Sequence, residues 1–330
     1  MEEKRKAIAQ LIQKHQRFLI ATHMNPDGDG VGSEIALALF LKRLGRDVEV
    51  CNETPLPRVF GFLDPEGEVE HFDPIRQKGA TYSGDVIFIL DIANWDRLGA
   101  MRDYVMNSSA AKLCIDHHAS PGLEGCLNLI DPQACATGEL VYDLIRSMGG
   151  QPEQRCAEAL YVAIMTDTGS FRFQNTTPKT HRIAAHLLEA GADPSYIYQQ
   201  VHEQSSYGRL RLLGAALVDL KTEEKNRLAW VKVTQAMMQQ YGVENDELEG
   251  FVELPRSLRG VDLVILFLEA PQGMVRVSLR SKGNIDVHEL ASRFGGGGHN
   301  RASGIHLFAP LDEAIEKVLM EARKAVRSQK

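Results

Sequence analysis

The sequence has no basic excess: Lys and Arg total 37 against 44 Asp and Glu, for a formal net charge of −7 over 330 residues. A protein that wraps long nucleic acid normally presents a basic face, so that class is disfavoured. No apolar run reaches the ~18 residues needed to span a bilayer. Charged residues in Met1–Lys6, followed by Gln10 and Gln13, do not make a secretory signal. Cysteine is sparse. Cys51, Cys114, Cys126, Cys135 and Cys156 all lie in the first half, and no two form a C-x-x-C pair. An odd count without ligand spacing reads as reduced, mostly buried thiols, and the chain is expected to be cytoplasmic with no membrane partner. There is no internal repeat and no low-complexity tract. A chain of this length suits about two domains of ~100–200 residues each.

What is present is an alternation of short apolar runs and helical patterns. Arg17–His23, Arg46–Cys51, Asp85–Ile92 and Lys112–Asp116 read as strands. Val31–Leu44, Thr137–Met148 and Glu153–Met165 read as helices. Strands alternating with helices predict a parallel sheet covered on both faces, with its ligand site beyond the carboxyl ends of the strands. Helical patterns fill Thr177–Leu220. Beyond them Arg227–Val233, Val261–Glu269, Met274–Ser281 and Ile305–Phe308 look like strands, with Pro271-Gln272-Gly273 as a turn and a charged terminal helix. The second half is therefore a separate α+β unit.

Ionisable residues gather where these elements end. The first strand runs into His23-Met24-Asn25-Pro26-Asp27-Gly28-Asp29-Gly30, where Pro26 and the glycines predict a tight loop projecting His23, Asp27 and Asp29. The strand through Leu90 ends in Asp91, and the next in Asp116-His117-His118. The helix through Met165 runs into Thr166-Asp167-Thr168-Gly169. Singly, each has a plainer reading: a turn, a helix cap or a surface pair. Plain readings do not predict coincidence at four element ends. Five Asp and three His on one sheet edge would repel strongly without cations, and a mixed His/Asp set suits Mn²⁺, Fe²⁺ or Zn²⁺ better than all-oxygen Ca²⁺ or Mg²⁺ shells. Two divalent ions ~3.5–4 Å apart would clamp an in-line displacement at phosphorus. Three other motifs fit poorly. An EF-hand fails because Val31 and Ala38 occupy ligand positions. A dinucleotide fingerprint at Gly28-x-Gly30-x-x-Ser33 places Asp27 and Asp29 against a pyrophosphate, and an aspartyl nucleophile would sit directly at the strand end.

The second half has its own signal in Gly295-Gly296-Gly297-Gly298-His299-Asn300-Arg301-Ala302-Ser303-Gly304. Four glycines inside a domain suggest a loop whose backbone N–H groups cradle phosphate, with His299 as an added donor. Residues 255–301 carry seven Arg/Lys against four Asp/Glu, a local +3 on an acidic protein.

With these motifs assembled, the sequence resembles the DHH–DHHA1 phosphoesterases over nearly its whole length and in order. HMNPDGDG, ILDIAN, CIDHH and MTDTGSFRF carry the four motifs of the first domain, and GGGGHNRASG that of the second. A short chain without further domains or membrane spans looks most like the NrnA-type branch of nano-RNases and pAp phosphatases. The resemblance implies an α/β fold with an N-terminal DHH domain (1–190), a helical connector (191–224) and a smaller α+β DHHA1 domain (225–330). It further implies an active site in the cleft between domains. One metal would sit on His23, Asp27 and Asp91, and a second on Asp29, Asp91, His117 and Asp167, with Asp91 bridging. Asp116 would orient an imidazole. His118, His299, Gly297 and Gly298 would bind phosphate, and Arg280 a distal phosphate, with Arg276 and Arg301 competing for that role. Two divalent ions are implied, Mn²⁺ first, with Mg²⁺, Fe²⁺ or Zn²⁺ as alternatives. Expected substrates are short oligoribonucleotides, linear dinucleotides such as pApA and pGpG, and pAp. A cyclic dinucleotide phosphodiesterase and a non-catalytic nucleotide-binding protein are the rival readings. A homodimer is compatible with a chain of this size.

Overall fold

The computed structural model describes residues 1–73, 79–92, 94–248, 250–282 and 284–328, without the side chains of 246 and 299. The chain divides into two units, Met1–Gln204 and Ser205–Lys330.

The first unit is built on six strands: β1 (Arg17–Ala21), β2 (Asp47–Asn52), β3 (Val69–His71), β4 (Val86–Leu90), β5 (Ala111–Asp116) and β6 (Leu127–Ile130). Every pairing is parallel and the spatial order is β3-β2-β1-β4-β5-β6. Because alternate side chains of a strand point to opposite faces, each strand supplies two cores. Phe18, Ile20, Phe88, Leu90, Leu113 and Ile115 pack under the helices Glu2–Lys14, Gly28–Arg43, Thr137–Ser147 and Gln154–Asp167. Leu19, Ala21, Ile87, Ile89 and Cys114 face Leu98, Met101 and Val105 on the other side. The direction of winding reverses between β1 and β4. At such a switch point the connections leave to opposite sides and open a crevice at the carboxyl ends of the strands. Residues 22–23 and 91 follow directly from the two strands that border it.

The second unit carries β7 (Lys221–Glu223), β8 (Leu228–Val233), β9 (Leu263–Ala270), β10 (Met274–Ser281), β11 (Gly297–His299) and β12 (Ala302–Phe308) in the order β11-β12-β10-β9-β8-β7. Only β8 and β9 pair in parallel. The amphipathic helix Leu311–Ser328 lays Ala314, Val318, Leu319 and Ala322 on one face of this sheet. Leu212, Ala216, Met238 and Phe251 cover Val264, Leu266 and Leu268 on the other.

Two expectations change. Residues 28–30 do not form a loop; they are the first turn of the helix Gly28–Arg43, with Asp27 as its cap. Their glycines serve close approach. A Cβ on Gly28 would lie 2.5 Å from the Thr166 side chain, and one on Gly32 would lie 2.3 Å from the Ala159 carbonyl oxygen. This lets the helices Gly28–Arg43 and Gln154–Asp167 touch backbone to backbone. The glycine run is also more ordered than a cradle loop, because Gly297–His299 forms an edge strand paired antiparallel to Ala302–Gly304.

Candidate metal centre

The eight ionisable residues of the first unit converge at the carboxyl edge of the parallel sheet. β1 delivers His23, which is 3% exposed. The chain just before it is pinned: Thr22 N donates to Asn52 Oδ1 at 3.0 Å and Thr22 Oγ1 donates to the Leu90 carbonyl at 2.9 Å, joining β1 to its two neighbours. Asn52 in turn donates to buried Glu34 at 2.8 Å. His23 Nδ1 lies 3.0 Å from the Met24 carbonyl, which leaves Nε2 as the nitrogen turned toward the carboxylates. That Nε2 is 3.4 Å from Asp91 Oδ2 and 3.8 Å from Asp27 Oδ1.

His117 repeats the arrangement. Its Nδ1 is 3.3 Å from the Ala134 carbonyl, while Nε2 stands 3.7 Å from Asp29 Oδ2, 3.8 Å from Asp91 Oδ1 and 3.7 Å from Asp167 Oδ2. His118 is held differently, by a carboxylate: Nδ1 is 2.7 Å from Asp116 Oδ1, which also accepts from the His118 backbone N–H at 3.1 Å. Asp116 is fully buried, and its Oδ2 has no hydrogen-bond partner among the described residues. Asp91 sits just past β4 with φ +59°, a left-handed conformation that costs a non-glycine residue roughly 1–3 kcal/mol unless its surroundings enforce it. Its backbone N–H donates to the Ile115 carbonyl at 2.9 Å, which fixes it against β5.

Several uncharged residues hold these carboxylates. Asp29, 1% exposed, accepts from Thr137 N at 2.7 Å, Gly138 N at 2.9 Å and Ser33 Oγ at 3.2 Å. Thr137 Oγ1 also donates to Asp91 Oδ1 at 3.0 Å. Asn175 Nδ2 donates to Asp167 Oδ2 at 3.2 Å and to the Cys135 carbonyl at 2.9 Å. None of Thr137, Gly138, Ser33 or Asn175 was expected from the sequence. Thr137-Gly138 at a helix start and Asn175 closing the segment after Asp167 are the only traces they leave there. Ala93 of the ILDIAN motif lies outside the described residues.

The electrostatics of the cluster favour a bound cation. Burial, with Asp91, Asp167 and Asp27 close by, pushes the Asp29 carboxyl well above the usual carboxylate range. Burial and the Asp91 and Asp27 carboxylates raise Asp167 to about 6, against the pull of His117. Burial pulls His23 down, but the hydrogen bonds and charges of Asp27 and Asp91 outweigh it and hold the imidazole at about 9. In His118 the hydrogen bond to Asp116 raises the imidazole. The metal-free site thus gathers protons to offset its own negative charge. Three groups have ligand atoms within 4.8 Å of one another: His23, Asp27 and Asp91; Asp29, His117 and Asp167; and Asp91, His117 and His118. Imidazole nitrogens turned inward among carboxylates that repel one another fit divalent ions, which would displace those protons.

The remaining expected residues lie in the second unit. Cross-strand register aligns position 299 with Ala302 and Arg280, and Gly297 with Gly304 and Ser278. Arg276, Ser278 and Arg280 alternate with buried Val275, Val277 and Leu279, so they share one face of β10. Arg280 Nε donates to Glu253 Oε1 at 3.0 Å. Arg301 and Gly298 are exposed at the tip of the hairpin beside them. The His299 side chain lies outside the described residues.

Comparison with known proteins agrees with this anatomy. The DHH family N-terminal domain matches residues 17–164 and the DHHA1 domain matches residues 228–328. The chain is 34% identical, over 98% of its length and 94% of the relative's, to the bifunctional oligoribonuclease and PAP phosphatase NrnA of Thermus thermophilus. It is 28% identical, over 92% of its length and 93% of the relative's, to the NrnA of Bacillus subtilis. Among solved structures, an exopolyphosphatase-related protein from Bacteroides fragilis superposes over 99% of this chain and 96% of that one, with a TM-score of 0.93 and 29% identity. No helix among the described residues is long and apolar enough to cross a membrane. This chain belongs to the DHH–DHHA1 family of phosphoesterases.

Proposed function

We propose that this protein is a two-metal phosphoesterase that cleaves short oligoribonucleotides and linear dinucleotides to mononucleotides, and pAp to AMP and phosphate. One observation carries the reading. The two oxygens of Asp91 face different imidazoles, Oδ2 toward His23 and Oδ1 toward His117, so one carboxylate serves two adjoining ligand groups. His23, Asp27 and Asp91 would hold one ion, and Asp29, Asp91, His117 and Asp167 the other. Mn²⁺ is our first assignment. When bound, two such ions polarise the phosphoryl group, neutralise charge in the transition state and lower the pKa of the attacking water.

The protein's own residues supply the rest. Asp116 anchors His118 through Nδ1 and favours its protonated form, in which Nε2 can donate to a phosphate oxygen as negative charge develops. In the second unit we assign Arg280, Arg301, His299 and the backbone of Gly297-Gly298 to the remaining phosphate or nucleotide. The Glu253 carboxylate holds the Arg280 guanidinium in a fixed orientation. The division of labour follows the two units, Met1–Gln204 catalytic and Ser205–Lys330 substrate-binding; the expected connector 191–224 is divided between them and includes β7. A local excess of positive charge of only +3 across residues 255–301 suits a small anionic substrate better than a long polymer. We place the protein in the cytoplasm.

The substrate range of the NrnA relatives supports this choice, and a substrate panel tests it. In Mn²⁺ the purified chain is expected to release AMP from pAp and pApA, with slower turnover of cyclic di-AMP and of a long RNA. Intact pAp and pApA would overturn the proposal, and preference for cyclic di-AMP would move the protein to the cyclic dinucleotide phosphodiesterases.

A further inference from the structure

We infer that Thr137 is the positioning residue that sets the spacing between the two ligand groups. The inference rests on the reading that Asp29 and Asp91 hold metal. Thr137 touches both carboxylates with two different atoms: its backbone N–H donates to Asp29 Oδ2 at 2.7 Å, and its hydroxyl donates to Asp91 Oδ1 at 3.0 Å. It is fully buried, so no water competes for either bond. The elements it ties together are remote in sequence. Asp29 sits in the first turn of the helix Gly28–Arg43, Asp91 just past β4, and Thr137 at the start of the helix Thr137–Ser147.

Each carboxylate is thereby left with one arrangement. Both Asp29 oxygens are engaged by Thr137 N and Gly138 N, which fixes the plane of the group. In Asp91, Oδ1 accepts from the threonine and also faces His117 Nε2, while Oδ2 turns to His23. Without the hydroxyl, Asp91 can rotate about its Cα–Cβ bond and the two-sided presentation is lost. Residues that orient ligands in this way typically carry ~10–100-fold in metal affinity or activity. The backbone N–H survives every substitution except proline, so the hydroxyl is the part that a conservative mutation can address.

Thr137→Val removes the hydroxyl at nearly constant volume, and Thr137→Ser restores it with less packing. The test is Mn²⁺ titration of the metal-stripped full chain by electron paramagnetic resonance, with melting of the metal-free proteins alongside. The wild type is expected to bind two ions. Thr137→Val is expected to bind at least one of them roughly 10-fold or more weakly, with a metal-free melting temperature close to the wild type, and Thr137→Ser is expected to recover the affinity. Wild-type Mn²⁺ affinity in Thr137→Val overturns the inference alone. So does equal impairment in Thr137→Ser, which would make Thr137 a packing residue. A wild-type chain that binds no Mn²⁺ overturns both this inference and the metal assignment beneath it.

Discussion

Metal removal should leave the first unit with a stability that falls as pH rises, and the size of the fall can be worked from the site. Asp167 moves from an ordinary 3.8 to about 6 on folding. A raised carboxyl favours its protonated form in the fold, so the stability it lends is present at low pH and lost as pH rises through about 6. His23 moves from 6.5 to about 9, and its contribution is full below 6.5 and lost as pH rises through about 9. Asp27, lowered to about 2 by His23 and by the Asp29 and Gly30 N–H groups, acts only in acid and leaves this window untouched. Two to three units each correspond to about 3–4 kcal/mol at 1.36 kcal/mol per unit. The groups share the same neighbours, so their contributions overlap, and about 2–3 kcal/mol is a fair total between pH 5 and 9. For a unit of this size that is about 5–10 °C in melting temperature. Bound Mn²⁺ reverses the dependence, because the ion requires deprotonated carboxylates and neutral imidazoles, and 100-fold saturation adds about 2.7 kcal/mol per site. Glu34, raised to about 8 by burial, slopes the same way with and without metal, so the difference between the two melting curves isolates the cluster. Differential scanning fluorimetry in EDTA and in Mn²⁺ from pH 5 to 9 measures it. A metal-free melting temperature that stays flat or rises, or a Mn²⁺ increment independent of pH, would refute the reasoning.

Two further predictions separate the roles of individual residues. Asp91→Ala is expected to abolish activity and strip bound metal, whereas His299→Ala raises KM and leaves metal content at the wild-type level; equal metal loss in both contradicts that division. Gly32→Ala forces a methyl to within 2.3 Å of the Ala159 carbonyl oxygen, so it is expected to destabilise the first unit by about 1–3 kcal/mol. Because Asp29 and Asp167 ride on the two helices being pushed apart, Mn²⁺ affinity falls with it, and a variant that melts and binds Mn²⁺ like the wild type would remove the close-approach argument.

Much of the site could be read from the sequence because charge at the end of an apolar run is a strong local signal. His23, Asp91 and the Asp116-His117-His118 triplet each lie at or just past the end of a largely apolar strand, and the parallel sheet explains why all of them reach one edge. Strands β3, β6 and β11 were not legible. At three or four residues, on sheet margins, they are too short to show an alternation, and β11 is hidden in a run of glycines whose composition suggests a loop. Gly28 was legible as special but not for the right reason, and Gly32 was not singled out at all, since the partner that demands a missing Cβ lies more than a hundred residues away. Thr137 and Asn175 were invisible for a related cause. Neutral polar side chains occur everywhere, and only the fold reveals which of them touch a carboxylate of the cluster.

The most direct measurement of the central claim is anomalous diffraction from crystals of the full chain grown with Mn²⁺. The account predicts two peaks in the first unit, one among His23, Asp27 and Asp91 and one among Asp29, Asp91, His117 and Asp167, with Asp91 contacting both. Peaks placed elsewhere, or a single peak that leaves either His23 or His117 without a contact, would contradict it.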